Sequence, residues 1–129
     1  MNRIEKIHEL LQTSPQDNFL QHALALELIK AGDDAEARSL FLSILERDPD
    51  YTGTYYHLAK LLERSGETEL AIQWYEAGMK ACKQAGDQHA YNELQAAYED
   101  WNRQLIAPLW RSERRAGGGA RKGKRKKKA

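Results

Sequence analysis

Residues 18–51 and 52–85 repeat one another at an offset of 34 residues. Leu24 aligns with Leu58, Ala25 with Ala59, Leu28 with Leu62, Gly32 with Gly66 and Ala37 with Ala71. Phe41 aligns with Tyr75, Leu45 with Met79 and Lys30 with Arg64. The matches fall at apolar, small and turn positions, while the positions between them diverge. A period of about 20 to 50 residues marks stacked supersecondary units that bury their faces only against neighbours.

Each matched position has a local task. Leu24/Leu28 and Leu58/Leu62 stand four residues apart, on one face of a helix. Ala25 and Ala59 are small where two helices must approach closely. Gly32 and Gly66 end that helix, because glycine accepts the left-handed backbone of a C-terminal cap. Asp33-Asp34 and Glu67-Thr68 open a second helix, at the positive end of its dipole. Ala37/Phe41/Leu45 and Ala71/Tyr75/Met79 continue the stripe, and Pro49 stops the helix.

This pattern resembles the tetratricopeptide repeat (TPR) family, whose unit is a helix–turn–helix of about 34 residues. The family's Leu, Gly/Ala, large apolar, Ala, aromatic and Pro positions fall on Leu24, Ala25, Leu28, Ala37, Phe41 and Pro49. The second copy supplies Leu58, Ala59, Leu62, Ala71 and Tyr75. Gln21 and Tyr55 stand at the family's Trp position, and Lys83 replaces the second proline.

The pattern extends beyond the two copies. Pro15, Ile7 and Leu11 precede Pro49, Phe41 and Leu45 by 34 residues, so residues 2–13 are expected to form a capping helix. Downstream, after an insertion around Gln84-Ala85-Gly86, a closing helix is expected over 87–105. Ala90, Leu94, Ala97/Tyr98, Trp101 and Leu105 should form its inner face. The expected fold is all-α, a short TPR solenoid of antiparallel helix pairs, about six helices in all, occupying residues 1–106.

The resemblance implies a concave face lined by the first helix of each repeat, suited to a protein or peptide. The groove positions carried over are Phe19, His22, Leu26 and Lys30, then Tyr56, Lys60, Glu63 and Arg64, with Asp50 and Tyr51 at the junction. Tyr51, Tyr55 and Tyr56 are amphipathic contact candidates, with one or two of them expected to serve packing instead. Family members that hold chaperone C-termini use a fork of Lys, Arg and Asn. The corresponding residues here are His22, Leu26 and His57, followed by Asp87/Tyr91 or His89/Glu93, so the charged clamp is missing.

Catalytic signatures are absent from the sequence. Gly117-Gly118-Gly119 follows no strand pattern and reads as a linker rather than a phosphate loop. His8, His22, His57 and His89 lie 14, 35 and 32 residues apart, too far for metal-ligand spacing, and His22 and His57 are expected at helix surfaces. Cys82 is the single cysteine, read as a packing residue. The chain is therefore expected to be no enzyme, with no cofactor, metal or small-molecule substrate. Neither a signal peptide nor a transmembrane segment is recognisable, and a cytoplasmic location is expected.

The net charge of +1 hides an asymmetry. Residues 1–102 carry 9 Lys/Arg against 18 Asp/Glu, whereas residues 103–129 carry 11 against Glu113 alone. After an apolar stretch broken by Pro108, Arg121, Lys122, Lys124, Arg125, Lys126, Lys127 and Lys128 belong to a segment without acids. Residues 107–129 are expected to be a disordered basic tail. Such a tail suits RNA, DNA or ribosome contact through phosphates, anionic lipid or nuclear import. It equally suits plain solvation or loose contact with the acidic body. The composite expectation is a protein-binding adaptor or scaffold with an electrostatic attachment, the rival being a nucleic-acid- or ribosome-associated protein held mainly by the tail.

Overall fold

The computed structural model describes residues 2–116, with side chains described over 2–106. Six α-helices follow in order: α1 (Arg3–Thr13), α2 (Asn18–Lys30), α3 (Asp34–Arg47), α4 (Gly53–Arg64), α5 (Thr68–Ala85) and α6 (Gln88–Ala116). No strand occurs among the described residues. The chain divides into two compact units, Met1–Gln95 and Ala96–Ala129, and α6 passes from one to the other.

In the first unit, successive helices pack antiparallel. Arg47 at the end of α3 donates to Asn18 and Gln21 at the start of α2, at 2.8 and 2.9 Å. Leu24, Ala25, Phe41, Ile44, Leu58, Ala59, Leu62, Ala71 and Tyr75 are almost wholly shielded from solvent. Burying a side chain of this size contributes about 1.5–3 kcal/mol, the main return for ordering the chain.

The 34-residue offset reappears in hydrogen bonds as well as in packing. Gly32 and Gly66 have φ of +89° and +79°, values that L side chains rarely adopt. Beyond them, Asp33 N–H reaches back to Leu28 O (2.8 Å) and Glu67 N–H to Leu62 O (3.0 Å), the long-range bond of a Schellman cap. Gln21 Nε2 donates to Pro15 O at 2.9 Å, and Tyr55 Oη donates to Pro49 O at 2.6 Å. Different side chains at one repeat position thus tie the helix to the same turn carbonyl.

Two departures from the repeat have direct causes. Helix α3 stops at Arg47, two residues before Pro49, because the residue before a proline avoids the helical region. Helix α5 has Lys83 where that proline would stand and continues to Ala85, 18 residues in all. The expected inner stripe of α5 also shifts. Met79 is half-buried while Gly78 is buried, because Tyr55 occupies the space beside it.

Helix α6 corrects the expected closing helix. It does not end near 105 or break at Pro108 but is continuous to Ala116. Proline forfeits one helical donor, and the strong helix formers around it (Gln104, Leu105, Leu109, Arg111, Glu113) sustain the remainder. Ala90 and Leu94 are buried, and Ala97, Tyr98, Trp101 and Leu105 are half-buried along the expected stripe. The cationic positions Arg121 to Lys128 lie outside the described residues. No helix among the described residues is long and apolar enough to cross a membrane.

Candidate functional site

An open groove of about 750 Å³ lies across α1, α2 and α4 in the first unit. It exists because α2 and α4 run parallel as the first helices of successive repeats, while α1 lies antiparallel beside α2. Its floor is apolar, built from Ile7 and Leu10 of α1, Phe19, Leu20, Ala23, Leu26 and Ile29 of α2, and Tyr56 and His57 of α4. Phe19 is 69% and Leu10 45% exposed, so large apolar surface faces solvent here. Contiguous exposure of this kind commonly marks a contact surface.

The remaining lining residues are Arg3, Lys6, Lys30, Lys60, Arg64 and a single acid, Glu27. Glu27 bridges Arg3 at 3.4 Å and Lys30 at 3.3 Å. Lys60 meets Glu63 and Arg64 meets Asp34, each at 3.3 Å. The Arg64–Asp34 pair is exposed on both sides and contributes about 0–1 kcal/mol, so an incoming anion can displace it.

Six positions assigned from the sequence come together in this groove: Phe19, Leu26, Lys30, Tyr56, Lys60 and Arg64. His22, Tyr51 and Glu63 do not line it. Glu63, with its side chain only 10% exposed, holds Lys60 and accepts a hydrogen bond from the Tyr75 hydroxyl. Tyr51 is half-buried, with its ring 6.0 Å from His22. Of the three tyrosines, Tyr55 serves packing and Tyr56 faces the groove.

His22 and His57 are half-buried rather than fully at the helix surfaces expected, and His57 shares the groove floor. Their rings lie 5.3 Å apart between α2 and α4, and His22 lies 5.6 Å from Phe41. His22 Nδ1 shares a hydrogen bond of 2.9 Å with Thr54 Oγ1, whose residue is fully buried. Burial, then the neighbouring His57, pushes the His22 pKa down to about 4. Burial also lowers His57, against the raising influence of Glu93. The imidazoles therefore pack as neutral rings, their flat faces serving as apolar surface. No group of three or more His, Cys, Asp or Glu is placed to hold a metal among the described residues. Cys82 is buried, and that burial raises its thiol pKa, which disfavours the reactive thiolate.

The groove residues that the sequence left unassigned include all four that α1 supplies, Arg3, Lys6, Ile7 and Leu10. The capping helix was legible, but its share of the floor was not. The signal available was the i, i+3, i+4 spacing of Arg3, Lys6, Ile7 and Leu10, which share one helical face.

A tetratricopeptide repeat family profile matches residues 1–75. A TPR domain protein from Salinibacter ruber, solved by crystallography, is 42% identical with a TM-score of 0.64, over 67% of this chain and 96% of that one. A solution structure of a Bordetella parapertussis protein reaches a TM-score of 0.73 at 23% identity, over 83% and 93%, a likeness of fold alone. The mouse interferon-induced protein with tetratricopeptide repeats 3 is 26% identical over 70 residues. That match takes in 54% of this chain and only 17% of the mouse protein.

Proposed function

The chain belongs to the tetratricopeptide repeat family, and from that premise we propose that it is a non-enzymatic adaptor or scaffold of the cytoplasm. Its groove across α1, α2 and α4 receives a segment of a partner protein. The observation that carries this reading is the exposed apolar floor beside a cationic flank, in a body whose other charges are mainly acidic. Recognition through such a surface rests on one or two aromatic anchors plus charge contacts. Phe19 and Tyr56 are the anchors, with Lys30, Lys60 and Arg64 beside them. Tyr51, His22 and Glu63 act from behind, by supporting α2 and α4.

In this reading residues 1–106 form the interaction body and 107–129 add electrostatic attachment. The net charge of +10 over residues 103–129 favours a second reading, attachment to RNA or a ribosome through phosphates.

Pull-downs with the full chain, a chain ending at Ala116, and a Tyr56→Ala/Lys60→Ala variant separate the two. The adaptor reading expects a protein partner that survives truncation and nuclease but is lost with the double variant, whose circular dichroism stays helical. Partners that vanish with nuclease or with the tail would establish the second reading instead.

A further inference from the structure

The groove is polarised along its length. Arg3 and Lys6 begin α1, Lys30 and Arg64 lie in the last turns of α2 and α4, and Lys60 stands one turn before Arg64. The bridging of Arg3 and Lys30 by Glu27 brings these cations to one end. The pairing of Arg64 with Asp34, just beyond the end of α2, places it there too. Toward the opposite end lie Phe19, at the start of α2, and Tyr56, in the first turns of α4.

Helix electrostatics accounts for only part of this arrangement. Cations in the last turns of α2 and α4 complement the helix dipole. Arg3 and Lys6, at the start of α1, oppose it, and Lys60 lies one turn in from the end of α4. Lys6, Lys30 and Lys60 also pair with acids three residues away on their own helices, but intrahelical pairing does not require that they gather at one end of an apolar groove.

Resting on the groove reading above, we propose that the occupant is an internal amphipathic segment of a partner protein. It seats large apolar side chains against Phe19 and Tyr56 and acidic side chains against Lys30, Lys60 and Arg3. Charge complementarity selects this occupant: the chain's own basic tail would be repelled from this end. An acidic ligand, repelled by the rest of a body with 18 acids against 9 bases in residues 1–102, finds favourable potential here.

The test is selection of short, C-terminally amidated random peptides on the full chain, followed by fluorescence anisotropy with Phe19→Ala and Lys30→Glu/Lys60→Glu variants that retain the tail. The selected peptides should carry large apolar residues followed or preceded by an acidic cluster. Each variant should weaken them roughly tenfold or more, the loss expected for one anchor or charge-assisted contact. Peptides with the acids changed to Lys should recover binding to the Lys30→Glu/Lys60→Glu variant, which a merely structural role for these lysines would not produce. Selected peptides that depend on Phe19 but lack acids would overturn the polarity and leave the groove reading intact. Acidic peptides bound equally well by both variants would be tail ligands and would overturn the inference. If no selected peptide depends on Phe19, the groove reading falls with it.

Discussion

Tyr55 and Gly78 occupy the repeat positions held by Gln21 and Ile44 one unit earlier, so a medium–large pair has become a large–absent pair. A Cβ at Gly78 would come within 2.6 Å of Tyr55 Cβ and 2.9 Å of Leu94 Cδ1, closer than packed carbon atoms tolerate. Glycine in mid-helix costs about 0.5–1 kcal/mol against alanine, a cost offset by letting the Tyr55 ring enter and its hydroxyl reach Pro49 O. Gly78→Ile should therefore destabilise the chain by about 1–3 kcal/mol or more, as overpacking does. Combined with Tyr55→Gly, which removes the Cβ and Cγ nearest to that position, the loss should be smaller than the sum of the two single losses. Urea denaturation of the single and double variants checks the non-additivity, and strictly additive losses would show that the two sites are independent. The mismatch of Ile44 with Gly78 was visible in the sequence. That it is compensated by Gln21 and Tyr55 became visible only once the helices were placed side by side.

Among the elements, the apolar stripes and turn glycines were legible because local rules fix them: one face per helix, one left-handed residue per turn. The extra length of α5 follows from Lys83 replacing a proline, also readable in principle. The course of α6 past Pro108 was not, because a single breaker competes with many helix formers. The inward placement of His22 and His57 also escaped local reading, since it depends on the spacing of α2 and α4 over Phe41. It has a consequence for the joint between those helices. The folded-state pKa of His22 lies near 4, below its ordinary 6.5, so the unfolded chain takes up the proton more readily. Stability from this group is complete above pH 6.5 and is lost as pH falls from 6.5 toward 4. The depression of His57 acts in the same direction. Thermal melting temperature should fall between pH 7.5 and pH 5, and His22→Gln should reduce that fall. An unchanged pH dependence in the variant would locate the effect elsewhere.

Across the whole molecule, charge is distributed in three zones: an acidic body, a cationic end of the groove within it, and a strongly basic C-terminal segment. The first and third were legible from composition, since they are sums along the chain. The second was only half legible: Lys30, Lys60 and Arg64 followed from the repeat, while Arg3 and Lys6 come from α1, which precedes the two full repeats and runs antiparallel to α2. Binding in the groove should weaken with salt less steeply than phosphate binding by a polybasic segment, because fewer counterions are released. The most direct measurement is amide chemical-shift mapping of the full, isotope-labelled chain, titrated with a protein segment that it captures. Shifts are expected at Arg3, Leu10, Phe19, Lys30, Tyr56 and Lys60 on α1, α2 and α4, with Lys122 to Lys128 little changed. Shifts confined to Arg121–Lys128, with the groove unmoved, would contradict the assignment of the groove as the recognition surface.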